Sequence, residues 1–88
     1  MYFISHGKFK KKPTKALEAE FQGIMAADAK EGIKFHGIYW TLGRYDAVAV
    51  FEASSEQAAM KMALRRADLM DTETLVAVPL AEVQKLVD

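Results

Sequence analysis

An α+β domain, with two helices laid on one face of an antiparallel sheet, is what three features of this 88-residue sequence predict. Short β-forming runs alternate with two amphipathic helical stretches in the order β-α-β-β-α-β. A glycine-centred turn, "GRYD", joins two strands in the middle of the chain. Hydrophobic residues reach 51% in a chain with room for a single domain, residues 1–88.

The first strand is expected over residues 2–9, in "YFISHGKF", where aromatic and β-branched residues dominate. "KKKPT" interrupts it, and Pro13 suits the first turn of a helix, where a missing N–H costs little. Leu17, Phe21, Ile24 and Met25 then form one apolar stripe, ending near Lys30 with Gly32 as the residue after the cap. Strands follow at 33–42 and 46–53, with Gly43 free to take positive φ between them. Ser54 is the expected N-cap of the second helix, with Gln57 completing a capping box. In that helix Ala59, Met60, Ala63, Leu64 and Ala67 make the apolar face, and Gln57, Lys61, Arg65 and Asp68 the solvated one. "TETLVAVP" reads as the fourth strand, and Leu80, Val83 and Val87 as a short C-terminal helix. With right-handed crossovers this order gives the ferredoxin-like arrangement, sheet order 4-1-3-2.

The central hairpin is apolar on both faces. With Leu42 opposite Ala47, one face carries Ile38, Trp40, Leu42, Ala47, Ala49 and Phe51, and the other Phe35, Tyr39, Thr41, Val48 and Val50. Two helices cover only one face of a sheet, so a second copy of the chain is expected on the other. An apolar patch of several hundred Å² is seldom left bare on a monomer. A chain this short, with no cysteine to staple it, also gains missing burial by self-association.

"TLGRYDAVAVFEA" (residues 41–53) and "TETL" (72–75) resemble the GYD-domain family, whose Gly-Tyr-Asp signature is carried here by Gly43, Tyr45 and Asp46. The resemblance implies a dimeric α/β barrel, in which two ferredoxin-like subunits pack sheet on sheet. It implies no single activity: related barrel families include cofactor-free monooxygenases, haem-dependent enzymes and regulatory ligand-binding domains. One segment departs from the family pattern. Where a glycine-containing turn is expected before "TETL", this chain has "LRRADLMD".

Candidate site residues follow from chemistry. A turn accounts for Gly43 and Asp46 but does not call for Arg44 or Tyr45. Arg44 suits anion binding at a pocket rim, oriented by Asp46. His6 and His36 are the only histidines and the candidate catalytic bases. Strand three separates their strands by ~9–10 Å, so a shared metal ion is not expected, and no cofactor is. Tyr39, Trp40 and Tyr45 offer aromatic surface to a planar ligand. Parity places His6, His36 and Trp40 in one pocket between two sheets. The five lysines of residues 8–15 stand on a short loop without interleaved stacking aromatics beyond Phe9, and the remainder is acidic. Nucleic acid is therefore not an expected partner. No run is long enough to span a membrane, no leader is visible, and a cytoplasmic protein is the simplest expectation. The main functional expectation is a homo-oligomeric ligand-binding or regulatory domain for a small apolar or aromatic ligand. The alternatives are a metal-free enzyme acting on an aromatic compound and a purely structural oligomerisation module.

Overall fold

The computed structural model describes residues 1–87; Asp88, the last residue of the expected domain, lies outside them. The elements are β1 (Tyr2–Phe9), α1 (Lys15–Lys30), β2 (Lys34–Trp40), β3 (Ala47–Glu52), α2 (Glu56–Arg65), β4 (Met70–Ala77) and α3 (Leu80–Val83). The strands form one sheet in the order β2-β3-β1-β4, with every neighbouring pair antiparallel. This is the ferredoxin-like order expected, read from the other edge.

Local chemistry sets the helix ends. Thr14 caps α1 by accepting the Leu17 N–H at 3.1 Å, so Pro13 stands just ahead of the cap rather than inside the first turn. Gly32, at φ +95°, lets the chain leave the helix. In α2 the cap is Ser55, not Ser54: its hydroxyl accepts the Ala58 N–H at 3.1 Å. The inward face is also turned from the expected one. Ala59 and Met62 are buried, whereas Met60 and Leu64 are exposed. The cause is Arg66, just past the helix, whose buried ion pair with α1 sets the rotation of α2.

The core lies between helices and sheet. Phe3 and Phe51 stack with ring centroids 5.4 Å apart, joined by Ile33, Ala53, Ala59 and Met62. Beside it, Asp28 near the end of α1 has no exposed surface. Its two carboxylate oxygens accept from Nη1 of Arg65 and Nη2 of Arg66, and Arg66 Nε donates to the Met62 carbonyl at 3.0 Å. Arg65 also reaches Glu31, which Lys61 meets at 2.9 Å. These contacts raise the Arg65 pKa, Glu31 contributing most and Asp28 next. The hydrogen bond from Lys61, and after it that from Arg65, holds Glu31 below the ordinary carboxylate range.

Two expectations are corrected here. The sheet does not close into a barrel: β2 and β4 are edges, each with one unpaired side. About eight strands are needed before a small barrel closes around its own side chains, and this sheet has four. The register of the hairpin also differs. Trp40, not Leu42, lies opposite Ala47, and a bulge between Phe35 and Gly37 reverses the alternation upstream of it. Phe35 thereby joins Phe51 on the helix side, their rings 6.2 Å apart, and Leu42 projects fully into solvent.

The hairpin is apolar on both faces for two separate reasons. On the helix side Ile38, Trp40, Ala47, Ala49 and Phe51 face α1 and α2. On the other side Tyr39, Val48 and Val50 share a face with Ile4 and Leu75, where Tyr39 and Leu75 are exposed.

Asp28→Asn keeps the shape of the side chain but removes the charge that two arginines neutralise. Breaking a buried ion pair from one side costs about 3–5 kcal/mol. Urea unfolding of the variant should show a loss of that order, with the m-value unchanged.

Candidate functional site

A cavity of about 90 Å³ lies between the sheet and the two long helices. One row of residues crosses the sheet beneath it: Trp40 opposite Ala47, Ala47 opposite Gly7, Gly7 opposite Thr72. All four line the space. Small residues here leave room that larger ones on the helices do not fill. A Cβ at Gly7 would stand 2.5 Å from Cε of Met70, so the flexible thioether packs where a side chain would otherwise be. Phe9, 5.2 Å from Trp40 and 5.6 Å from Phe21, makes an aromatic wall with them. Met25 and Met62 add flexible thioethers.

The signature turn connects to this wall from its side of the sheet. Gly43 has φ +109°, which a side chain would strain. The Asp46 N–H donates to the Gly7 carbonyl at 2.8 Å, and its carboxylate accepts the Phe9 N–H at 2.9 Å. Asp46 therefore extends the β1–β3 ladder past its last regular pair. It is engaged with backbone rather than with the Arg44 guanidinium it was expected to orient. Arg44 is exposed, and its carbonyl accepts from Lys8 Nζ at 3.3 Å. Tyr45 crosses β1 on the face away from the helices: its ring stacks on His6 at 4.7 Å and its hydroxyl donates to Glu73 of β4 at 2.8 Å. That bond to a carboxylate raises the Tyr45 pKa above the ordinary phenol value, with Arg44 pulling the other way more weakly.

A second pair stands toward the other end of the same face. His36 Nε2 and Glu52 Oε2 are 2.6 Å apart, and Tyr2 stacks on the His36 ring at 5.5 Å. The contact with His36 lowers the Glu52 pKa more than burial raises it.

The structure thus separates residues that parity had grouped. His6, His36, Tyr39 and Tyr45 belong to the open face, whereas Trp40 belongs to the cavity. The bulge in β2 parts His36 from Trp40, and the register across β3, with His6 opposite Val48 and Trp40 opposite Ala47, parts His6 from Trp40. Among the described residues no cluster of three or more metal-ligating side chains occurs. The cavity also includes a residue that only an indirect sign in the sequence marks. Arg66 lines it, and the departure of "LRRADLMD" from the expected glycine turn was the one signal pointing there.

Fold and cavity together define a small ferredoxin-like domain with an apolar chamber under its sheet. The chain belongs to the GYD domain family, which it matches over residues 3–87. Two solved structures share the fold. LrpC of B. subtilis superposes with a TM-score of 0.66 at 12% identity, over 90% of this chain and 53% of that one. SCO4226 of Streptomyces coelicolor A3(2) superposes with a TM-score of 0.60 at 20% identity, over 91% of this chain and 98% of that one. This chain therefore spans about half the length of the first. No curated protein matches it in sequence. Among the described residues no helix is long and apolar enough to cross a membrane.

The Glu52 shift fixes a pH dependence. Its folded pKa lies below the unfolded value, roughly 4.3, so the stability carried by this shift is fully present above that pH. The contribution is lost as pH falls through the folded value. Urea midpoints measured from pH 7 to pH 3 should fall less steeply for Glu52→Gln than for the unchanged protein; parallel curves would remove the pair as a source of stability.

Proposed function

We propose that the domain binds a small apolar ligand in the chamber between its sheet and its helices. The supporting observation is that this space is walled by aromatic and thioether side chains over a floor of small residues, with Trp40 at its rim. Volume limits the ligand. An engineered apolar cavity of about 150 Å³ accommodates benzene, so by proportion this one buries roughly four heavy atoms. At a ceiling of about 1.5 kcal/mol per atom, a ligand filling only the chamber reaches a Kd no lower than tens of micromolar. A tighter natural ligand extends past Trp40 over the rim, where an aromatic or flat aliphatic portion would lie on the indole.

The open face supports a second reading, self-association. Ile4, Val48, Val50, Tyr39 and Leu75 form an apolar band between the Tyr45–Glu73 and His36–Glu52 pairs. A second copy presenting the same band would cover it. The purely structural reading keeps this interface and drops the ligand. The enzymatic one needs a base in contact with the chamber, whereas both histidines stand on the other face of the sheet.

The sole tryptophan reports on the chamber directly. Titration with 3-methylbutan-1-ol should shift Trp40 emission and the methyl resonances of Met25, Met62 and Met70 saturably in the millimolar range. Ala63→Leu, which fills the space, should abolish both; a response identical in the two proteins, or none in either, overturns ligand binding at this place. Self-association has its own measurement. Sedimentation equilibrium should give a dimer or larger species for the unchanged chain and a monomer for Val50→Lys. A monomeric unchanged chain at ~100 μM would refute it.

A further inference from the structure

We propose that the chamber selects an anionic ligand, a short-chain or aryl carboxylate, and that Arg66 is the group that recognises it. This inference rests on the ligand-binding reading above and adds the chemical class of the ligand.

Among the residues lining the chamber, Arg66 is the single charged one, and no acidic side chain joins it there. It is 8% exposed, so its guanidinium is screened little by bulk water. A guanidinium has five N–H donors. Two of its nitrogens are engaged by protein: Nε with the Met62 carbonyl and Nη2 with Asp28. Among the described residues Nη1 has no acceptor, while none of the fully buried side-chain polar atoms lacks a partner. Nη1 is therefore the donor this group leaves over, on a side chain that forms part of the chamber wall.

The charge balance around it points the same way. Arg65, Arg66 and Lys61 stand against Asp28 and Glu31, three cations against two carboxylates. Asp28, held at both oxygens, fixes the Arg66 guanidinium in place and keeps it from folding away. A carboxylate arriving from the chamber adds a third bond to a guanidinium already held by two.

Position is suited to such a ligand. The Met70 N–H donates to the Arg66 carbonyl at 3.0 Å, and Met70 lies on Gly7, in the row that runs to Trp40. The Arg66 backbone is thus at the rim end of the sheet, and its side chain reaches back from there along the chamber wall to Asp28. A ligand with a compact apolar body and one carboxylate can occupy the space beside the small residues and meet the guanidinium without crossing the core. A cationic head would meet like charge, and a neutral one would gain no ionic attraction.

The test uses three probes with one carbon skeleton: isovalerate, isovaleramide and 3-methylbutan-1-ol. Each is titrated into the unaltered protein while the methyl resonances of Met25, Met62 and Met70 are followed. Isovalerate should bind at least tenfold more tightly than the amide or the alcohol, and Arg66→Met should erase that preference while alcohol binding persists. Equal affinities for all three, or a preference retained in Arg66→Met, overturn the assignment of Arg66 but leave the chamber as a binding site. Absence of binding by any probe overturns both. If Arg66→Met does not fold, the probe series on the unaltered protein decides alone.

Discussion

Asp28 is the residue on which the placement of the helices depends. It has no exposure, stands in the last turn of α1, and is held at both oxygens by arginines at the end of α2. A buried carboxylate with two guanidinium partners tolerates little rotation, because losing either bond leaves charge uncompensated in a low-dielectric interior. The two helices are consequently tied at their C-terminal ends, and the turn of α2 follows. Ala59, Met62 and Arg66 point inward, and Met60 and Leu64 are carried outward although hydrophobicity alone would bury them. The chamber is the space left between a pair of helices fixed by ions and a sheet whose floor is glycine and alanine.

The Gly-Tyr-Asp signature acts as a stitch across the sheet. Gly43 makes the turn, Asp46 prolongs the ladder onto Gly7 and Phe9, and Tyr45 reaches over β1 to β4. Each of these contacts ends on a strand whose other face bears on the chamber. Phe9, whose amide Asp46 holds, is the middle ring of the aromatic wall between Trp40 and Phe21. In three dimensions the tyrosine and the aspartate of the motif bond to neighbouring strands. Its tyrosine and aspartate are committed to the protein itself, and only Arg44 has its side chain exposed to solvent.

Much of the fold was legible because it is written in short-range patterns. Strand β1 follows from its composition, the end of α1 from Gly32, and the hairpin from Gly43, since each needs only neighbours in sequence. The sheet order follows from the order of elements and general rules of connection. What stayed hidden needed distant partners. Asp28 and Arg66 are 38 residues apart, and neither "MAADAK" nor "LRRADLMD" shows that the other exists. The bulge before Gly37 leaves no composition signal strong enough to outweigh regular alternation, and one extra residue moved Phe35 across the sheet and parted His36 from Trp40. The barrel was implied by the family resemblance, with which apolarity on both faces agreed. That pattern does not distinguish a strand enclosed in a barrel from one packed on helices with a bare reverse side.

The two faces of the sheet therefore differ in kind although their composition is alike. On the helix side the apolar groups surround a space and the lone charged group is held rigidly at its wall, conditions that discriminate among small molecules. On the open side the apolar groups form a band, and the polar ones, Tyr45–Glu73 and His36–Glu52, are already satisfied by each other. A small ligand on that band would gain contact from one side only and would displace water without enclosure. A flat, extended partner gains far more there, because desolvation scales with area. Each pair also satisfies one donor and one acceptor internally, which reduces the hydrogen bonding a cover must supply. The sheet is thus a partition between an enclosed apolar space with one rigidly held charge, Arg66, beneath it and an open apolar band flanked by bonded polar pairs above it.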